Sequence, residues 1–153
     1  MSLLAIEAGG TKTLCAVADR DGTILRRGRI ATEAPEQTMA GIEEFLSRAA
    51  DEPIEAVGAA WFGPIDVDPA SASHGVVLET PKLAWQGFNV RAALRRICDS
   101  PVVVDSDVNG AALAEAREGY RTDSLVYFTV GTGVGGGVVI RGSSLRSPGH
   151  PEI

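Results

Sequence analysis

Two short glycine-threonine segments, each set between apolar runs, carry the first chemical suggestion in this chain. Gly9-Gly10-Thr11-Lys12 follows Leu3-Leu4-Ala5-Ile6-Glu7-Ala8 and leads into Thr13-Leu14-Cys15-Ala16-Val17. Gly131-Thr132-Gly133 follows Leu125-Val126-Tyr127-Phe128-Thr129-Val130 and leads into Val134-Gly135-Gly136-Gly137-Val138-Val139-Ile140. Glycines let successive backbone N–H groups converge on one oxyanion, and a threonine hydroxyl adds a donor. Two such cradles facing each other could hold the phosphates of one nucleotide. Either one alone reads better as a plain hairpin turn, and it is the pair, each between apolar strands, that favours the cradle. Neither contains the Gly-x-x-x-x-Gly-Lys-Ser/Thr of a P-loop, and neither leads into a helix as a dinucleotide fingerprint must.

Asp107 opens a helical stretch just after the apolar run Val102-Val103-Val104. A carboxylate there can satisfy the orphan N–H groups of a helix start. It can also act as a general base, taking the proton of a hydroxyl that attacks phosphorus. The helix dipole favours the ionised form that a base requires. Asp105, one strand alternation earlier, competes for that role. Glu7 ends an otherwise apolar strand and needs a reason to be there. Lys12 across the hairpin is one partner; a magnesium ion held through water beside the phosphates is another. His74 sits in a loop and reads as a surface residue. His150 and Glu152 lie where fraying is the ordinary expectation.

The elements that must position these groups follow from periodicity. Residues 3–8, 13–19 and 23–31 are short apolar or alternating runs parted by Gly9-Gly10 and Asp21-Gly22, which predicts a three-stranded antiparallel meander. From Pro35 onward, Met39, Ile42, Phe45, Leu46 and Ala49 share one helical face. Ile54 to Phe62 reads as a buried strand ending at the turn pair Gly63-Pro64. Residues 66–87 show no period and form a long loop, a class that is often functional. Asn89 can cap a second helix with Val90, Ala93, Leu94 and Ile97 inward. Val102-Val103-Val104, apolar on both faces, predicts a central strand. Asp105 to Gly119 reads as a third helix with an acidic start and a glycine stop. The fold class is therefore α/β: a mixed sheet of antiparallel hairpins plus parallel strands, flanked by helices.

At 153 residues the chain can be one domain with a proper core. Its 18 glycines exceed the ~7% usual share, and their clustering at the two turns signals turn geometry, not disorder. A net charge of −6 argues against nucleic acid or an anionic membrane as the main partner. It does not argue against a nucleotide, because a local nest of N–H groups holds phosphate whatever the global charge. Cys15 and Cys98 stand far apart in apolar patterns and read as reduced, buried thiols. No run approaches the ~18 apolar residues of a membrane span, and no basic-then-apolar leader opens the chain. A cytoplasmic protein is expected.

Six stretches carry a resemblance: Ile6-Glu7-Ala8-Gly9-Gly10-Thr11-Lys12, Trp61-Phe62-Gly63-Pro64-Ile65-Asp66, Thr80-Pro81-Lys82-Leu83-Ala84-Trp85, the Asp107–Glu115 helix start, Thr129–Gly137, and His150-Pro151-Glu152. In this order, over nearly the whole chain, they resemble the ROK family of sugar kinases within the actin/hexokinase/Hsp70 superfamily. The likeness is greatest to the bacterial fructokinase branch, which shares Glu7 where most of the superfamily has Asp. The resemblance implies an actin-like, ribonuclease H-like ATPase lobe. It also implies ATP-dependent phosphorylation of a hexose, with D-fructose at the 6-position foremost. By the same likeness Asp107 is the general base. Glu7, Gly9, Gly10, Thr11, Lys12, Gly131, Thr132 and Gly133 fall around the ATP phosphates and magnesium. Gly63, Pro64 and Thr80 line the sugar pocket, and Glu152 grips sugar hydroxyls. Ser106 replaces the Asn that many family glucokinases carry beside the catalytic Asp, which puts that sugar contact in question.

The family continues past the equivalent of Glu152 with a His/Cys zinc cluster and the adenine pocket. Neither has a counterpart in this sequence, so no protein metal site is expected. No helix-turn-helix precedes the first strand, so a repressor is not expected. The domain expectation is an N-terminal actin-like lobe over residues 1–120 and the first hairpin of a truncated second lobe over residues 121–153. The expected partners are ATP with Mg2+ and a hexose, with fructose favoured; a homodimer is compatible, and nucleic acid and membrane are not expected. Two rivals remain open. One is a catalytically incomplete lobe without turnover. The other is a kinase for glucose, mannose or an N-acetylated amino sugar, which would share every motif above.

Overall fold

Gly9 closes the first hairpin by donating its N–H to the Lys12 carbonyl at 2.9 Å, turning β1 (Ser2–Ala8) back into β2 (Lys12–Ala18). The computed structural model describes residues 1–49, 53–119, 122–130 and 134–146. A second turn is built by Asp19, whose carboxylate accepts the Asp21 and Thr23 N–H groups at 3.0 and 2.9 Å. Gly22 occupies its left-handed position with φ 87°, and β3 (Ile24–Ala31) follows. The expected antiparallel meander is present.

Pro35 then opens α1 (Pro35–Ala49), where its missing N–H is harmless. Met39, Ile42 and Ala49 are buried along one stripe, with Phe45 and Leu46 packed at its margin. The chain returns as β4 (Ile54–Trp61), parallel to β1. Asn89 caps α2 (Val90–Cys98) by accepting the Ala92 N–H at 2.8 Å. Next, β5 (Val102–Ser106) pairs parallel to β4. The sheet order is β3-β2-β1-β4-β5, with α1 and α2 over a core that includes Leu4, Ile6, Val17, Val57, Trp61 and Leu94. Cys15 belongs to that core, and burial pushes its thiol up to about 12. Cys98 is only half-buried.

Three expectations need correction here. The Val102-Val103-Val104 strand is marginal, not central, because among the described residues nothing pairs beyond β5 in its sheet. Val102 and Val104 enter the core, while Val103 turns to the opposite face and is 59% exposed. The third helix does not start at Asp105, which is still in β5; α3 spans Asp107–Ala114 and continues as a π-turn over Glu115–Gly119. His74 is not a surface residue. It is half-buried, it hydrogen-bonds the Val104 backbone, and among the described residues its Nε2 has no partner.

The long loop has its own organiser in Asp66. Its carboxylate accepts the Ser71 and Ser73 hydroxyls, both at 2.6 Å, and the Asp68 N–H at 3.0 Å. Burial tends to raise that carboxyl, but these donors bring it below its ordinary value. A short 3-10 turn, Leu83–Trp85, ends the loop.

On the sheet's other face lies α3, which also contacts a second, three-stranded sheet of β6 (Ser124–Val130), β7 (Val134–Ile140) and β8 (Ser143–Ser144). The glycines of β7 correct a further expectation, since they are not only turn residues. A Cβ on Gly137 would stand 2.2 Å from the Val108 carbonyl oxygen, and one on Gly135 2.8 Å from a Val108 methyl. Bare backbone is what lets the hairpin lie against α3. Among the described residues no helix is long and apolar enough to cross a membrane.

Candidate functional site

Register decides where the site residues emerge. Ala8 of β1 pairs with Trp61 of β4, and Trp61 pairs with Ser106 of β5. Three parallel strands therefore end in one row. From that row the chain leaves as Gly9-Gly10-Thr11, as Phe62-Gly63-Pro64, and as Asp107 at the head of α3. The carboxyl edge of an open parallel sheet is where ligand crevices form, since each strand hands a new loop to the same rim.

The glycine turn is firmly footed. Besides the Gly9–Lys12 bond, the Thr32 N–H donates to the Thr11 carbonyl at 3.1 Å. The buried hydroxyls of Thr13 and Thr32 meet at 2.9 Å beneath it. Gly10 faces Lys82, whose Cε lies 3.6 Å from where a Cβ would stand. Glu7 is exposed, paired in register with Leu14 and Ala60. Among the described residues no ion pair joins it to Lys12, so the cross-hairpin explanation for this acid is not the one the structure takes.

The two aspartates separate clearly. Asp105 is buried, and its Oδ1 accepts the Ser106 N–H at 2.8 Å and the Asn109 side-chain amide at 2.7 Å. Its Oδ2 accepts the Ser144 hydroxyl at 2.8 Å and the Arg146 guanidinium at 3.5 Å. With both oxygens committed, it ties β5 and α3 to the segment around β8 and is not free to accept a substrate proton. Asp107 is half-buried as the first residue of α3, with Oδ1 accepting the Val108 N–H at 2.9 Å. Capping has passed to Ser106, whose buried hydroxyl accepts the Asn109 N–H at 3.3 Å. That places the N-cap one residue before Asp107.

On the adjoining side, the Gly63–Pro64 bond is cis and the Pro64 carbonyl accepts the Leu78 N–H at 2.7 Å. This contact brings the Thr80 segment beside the Pro64 turn. Thr80 is buried, and its hydroxyl accepts the Lys82 N–H at 3.4 Å. Beneath sit Phe62, Trp61, Trp85 and Phe88, with ring centroids 5.4–6.0 Å apart. Trp85 anchors the group by donating its indole N–H to the Glu33 carbonyl at 2.8 Å. Sequence reasoning did not assign Lys82 or this cluster. The signal was available: both tryptophans of the chain fall on the two segments involved.

The structure thus brings Gly9, Gly10, Thr11, Lys12, Gly63, Pro64, Ser106 and Asp107 to one sheet edge, with Glu7 just below and Thr80 alongside. Gly131, Thr132, Gly133, His150 and Glu152 lie outside the described residues. A separate cleft of about 710 Å³ separates the open sheet face from α3, walled by Glu7, Leu14, Ala60, Asp105 and Gly110. It shares Glu7 with the rim, whereas Gly10, Gly63 and Asp107 are not in its walls.

The sequence profile of the ROK family matches residues 3–153. A fructokinase from Zymomonas mobilis is 40% identical over 155 residues, covering 97% of this chain and 51% of that protein. A fructokinase from Lactococcus lactis is 35% identical over 149 residues, covering 97% and 50% respectively. Among solved structures, a ROK family glucokinase from Streptomyces griseus in complex with glucose and AMPPNP matches with a TM-score of 0.80 at 30% identity. That match covers 97% of this chain and 47% of the glucokinase. The chain spans about half the length of the curated relatives it matches.

Proposed function

This chain belongs to the ROK family and has its actin-like ATPase fold, and from that premise we propose that it serves ATP-dependent phosphorylation of a hexose. The observation that carries the reading is the shared row of Ala8, Trp61 and Ser106, which delivers a glycine turn, a sugar-side turn and the half-buried Asp107 carboxylate to one rim. D-Fructose is the favoured acceptor, supported by fructokinases at 35–40% identity. Residues 1–120 act as the first lobe and residues 121–153 as the opening of the second.

Each residue then has a chemical task. Asp107 accepts the proton of the sugar hydroxyl as its oxygen attacks the γ-phosphorus, and the bond from that phosphorus to the β–γ bridging oxygen breaks so that ADP leaves. Backbone N–H groups of Gly9, Gly10 and Thr11, with Lys12, receive phosphate oxygens on this side; Gly131, Thr132 and Gly133 do so from the other. Gly63, Pro64, Thr80, Ser106 and Glu152 orient the sugar. The rim fits magnesium, because Glu7 and Asp107 supply hard carboxylate oxygens suited to holding it through water. When bound, magnesium neutralises charge on the phosphate oxygens. Closure of the lobes excludes water, which otherwise competes with the sugar hydroxyl.

A second reading, in which residues 1–153 by themselves give no turnover, is separated from the first by one assay. Sugar phosphate formed from MgATP is measured with fructose, glucose, mannose and N-acetylmannosamine. The assay uses this chain alone, and this chain joined to the matching second half of the Zymomonas mobilis fructokinase. Phosphorylation of fructose by the joined protein is expected, with a loss of about 10²–10⁴-fold on Asp107→Asn. Turnover that survives Asp107→Asn, or none with any of the four sugars, would sink the kinase reading; turnover by the chain alone would remove the incomplete-lobe reading.

A further inference from the structure

Thr80 and Pro64 belong to the sugar-side turns, while Gly10 belongs to the phosphate-side turn. One side chain spans the two. Lys82 leaves the Thr80 segment and runs over the glycine turn, its Cε in van der Waals range of a Cβ position on Gly10. Its ammonium stands 6.0 Å from the centre of the Phe62 ring, at the outer reach of a cation–π contact. Its backbone N–H is fixed by the buried Thr80 hydroxyl. Lys82 is half-buried, and among the described residues no carboxylate pairs with it. A half-buried lysine that no carboxylate pairs with is available to an anion arriving beside it. The anion that belongs between a sugar hydroxyl and a nucleotide cradle is the phosphoryl group passing from one to the other.

We infer that Lys82 is a further substrate-binding residue of this site, gripping the terminal phosphoryl group opposite the Gly9–Thr11 turn. The inference rests on the kinase reading and deepens it. Lys12 begins β2 on the exposed side of the turn, so the two lysines approach the phosphate tail from different elements. Lys82 alone is tethered to the sugar-side loop. Its charge therefore reports on whether the phosphate end, not the sugar, is what that loop reaches for.

The test uses the whole chain with inorganic tripolyphosphate as probe, followed by calorimetry, and fructose as a neutral control. Lys82→Met keeps the stem over Gly10 and removes only the charge. It should weaken tripolyphosphate binding about ten- to a hundred-fold, the worth of one charge-assisted hydrogen bond. It should also flatten the salt dependence of that binding and leave fructose binding and tryptophan fluorescence unchanged. Lys82→Arg should restore most of the affinity. If Lys82→Met binds tripolyphosphate as wild type does while Thr11→Val weakens it, the inference fails and the kinase reading stands. If wild type does not bind tripolyphosphate, or neither substitution matters, both fail together.

Discussion

At the scale of single residues, adjacency in sequence conceals opposite chemistry. Asp105 and Asp107 are two positions apart, yet Asp105 is buried with donors on both oxygens, while Asp107 is half-buried at the head of α3. Removing Asp105 strands the buried Ser106 N–H and the Asn109 amide without an acceptor. Asp105→Ala should therefore lower unfolding free energy by about 2–3 kcal/mol in urea titrations, and Asp107→Asn by under ~1 kcal/mol. Equal losses would remove the structural distinction drawn between them. His74 makes a separate pH-dependent contribution. Burial holds its imidazole below the ordinary 6.5, aided by the Arg91 and Arg146 charges and opposed by Asp66. The folded state thus prefers the neutral ring, and the unfolded chain takes the proton first. Stability from this group is present above about 6.5 and is lost as pH falls through that value. The thermal midpoint should fall between pH 7 and pH 5.5 by more in wild type than in His74→Gln; parallel slopes would mean that His74 does not contribute.

At the scale of elements, the decisive contact is one that lacks a side chain. Gly137 of β7 lies against the Val108 carbonyl, where an added methyl would overlap at 2.2 Å, whereas on Gly136 it would meet Phe128 at an ordinary 3.7 Å. Gly137→Ala should cost about 1–3 kcal/mol and increase hydrogen exchange at Tyr127 and Val139, while Gly136→Ala should be nearly silent. Comparable effects from the two would place the hairpin elsewhere than on α3. This contact also shows why part of the structure was not legible in the sequence. The meander, α1 and the Asn89 cap rest on local periodicity and turn chemistry, and they stand where expected. Gly135 and Gly137 sit beside a turn, and only a tertiary neighbour reveals them as packing residues. Val102-Val103-Val104 has the composition of a central strand, but pairing is decided by other strands and leaves it marginal. Asp105 looked like a helix start because its donors come partly from Ser144 and Arg146, some forty positions away. The candidate rim was legible where motif and strand end coincide, at Gly9–Lys12, Gly63-Pro64 and Asp107. Lys82 was not, because its significance lies in reaching across to Gly10.

At the scale of the whole molecule, the two sheets differ in how completely they are covered. The five-stranded sheet buries one face under α1 and α2. The hairpin β6–β7 packs Leu125, Tyr127, Gly137 and Val139 towards α3 and turns Val126, Phe128 and Val130 outward, at 55%, 69% and 83% exposure. On its outer edge β7 has only the two-residue β8, and β6 has no strand beyond it among the described residues. Thus β8 covers part of one edge of the hairpin and leaves the β6 edge open among the described residues. Alternating β-branched and aromatic residues on an open strand edge form a template for pairing with another chain. In solution the chain should therefore self-associate with rising concentration, seen by sedimentation velocity as a growing dimer or larger species. Phe128→Lys combined with Val130→Lys should return it to monomer, since like charges on one strand face resist edge pairing and both side chains are exposed. Leu83→Lys, equally exposed at 76% but on the loop, should leave the association intact. Were Leu83→Lys as effective as the hairpin pair, general surface hydrophobicity and not the β6 edge would be driving it.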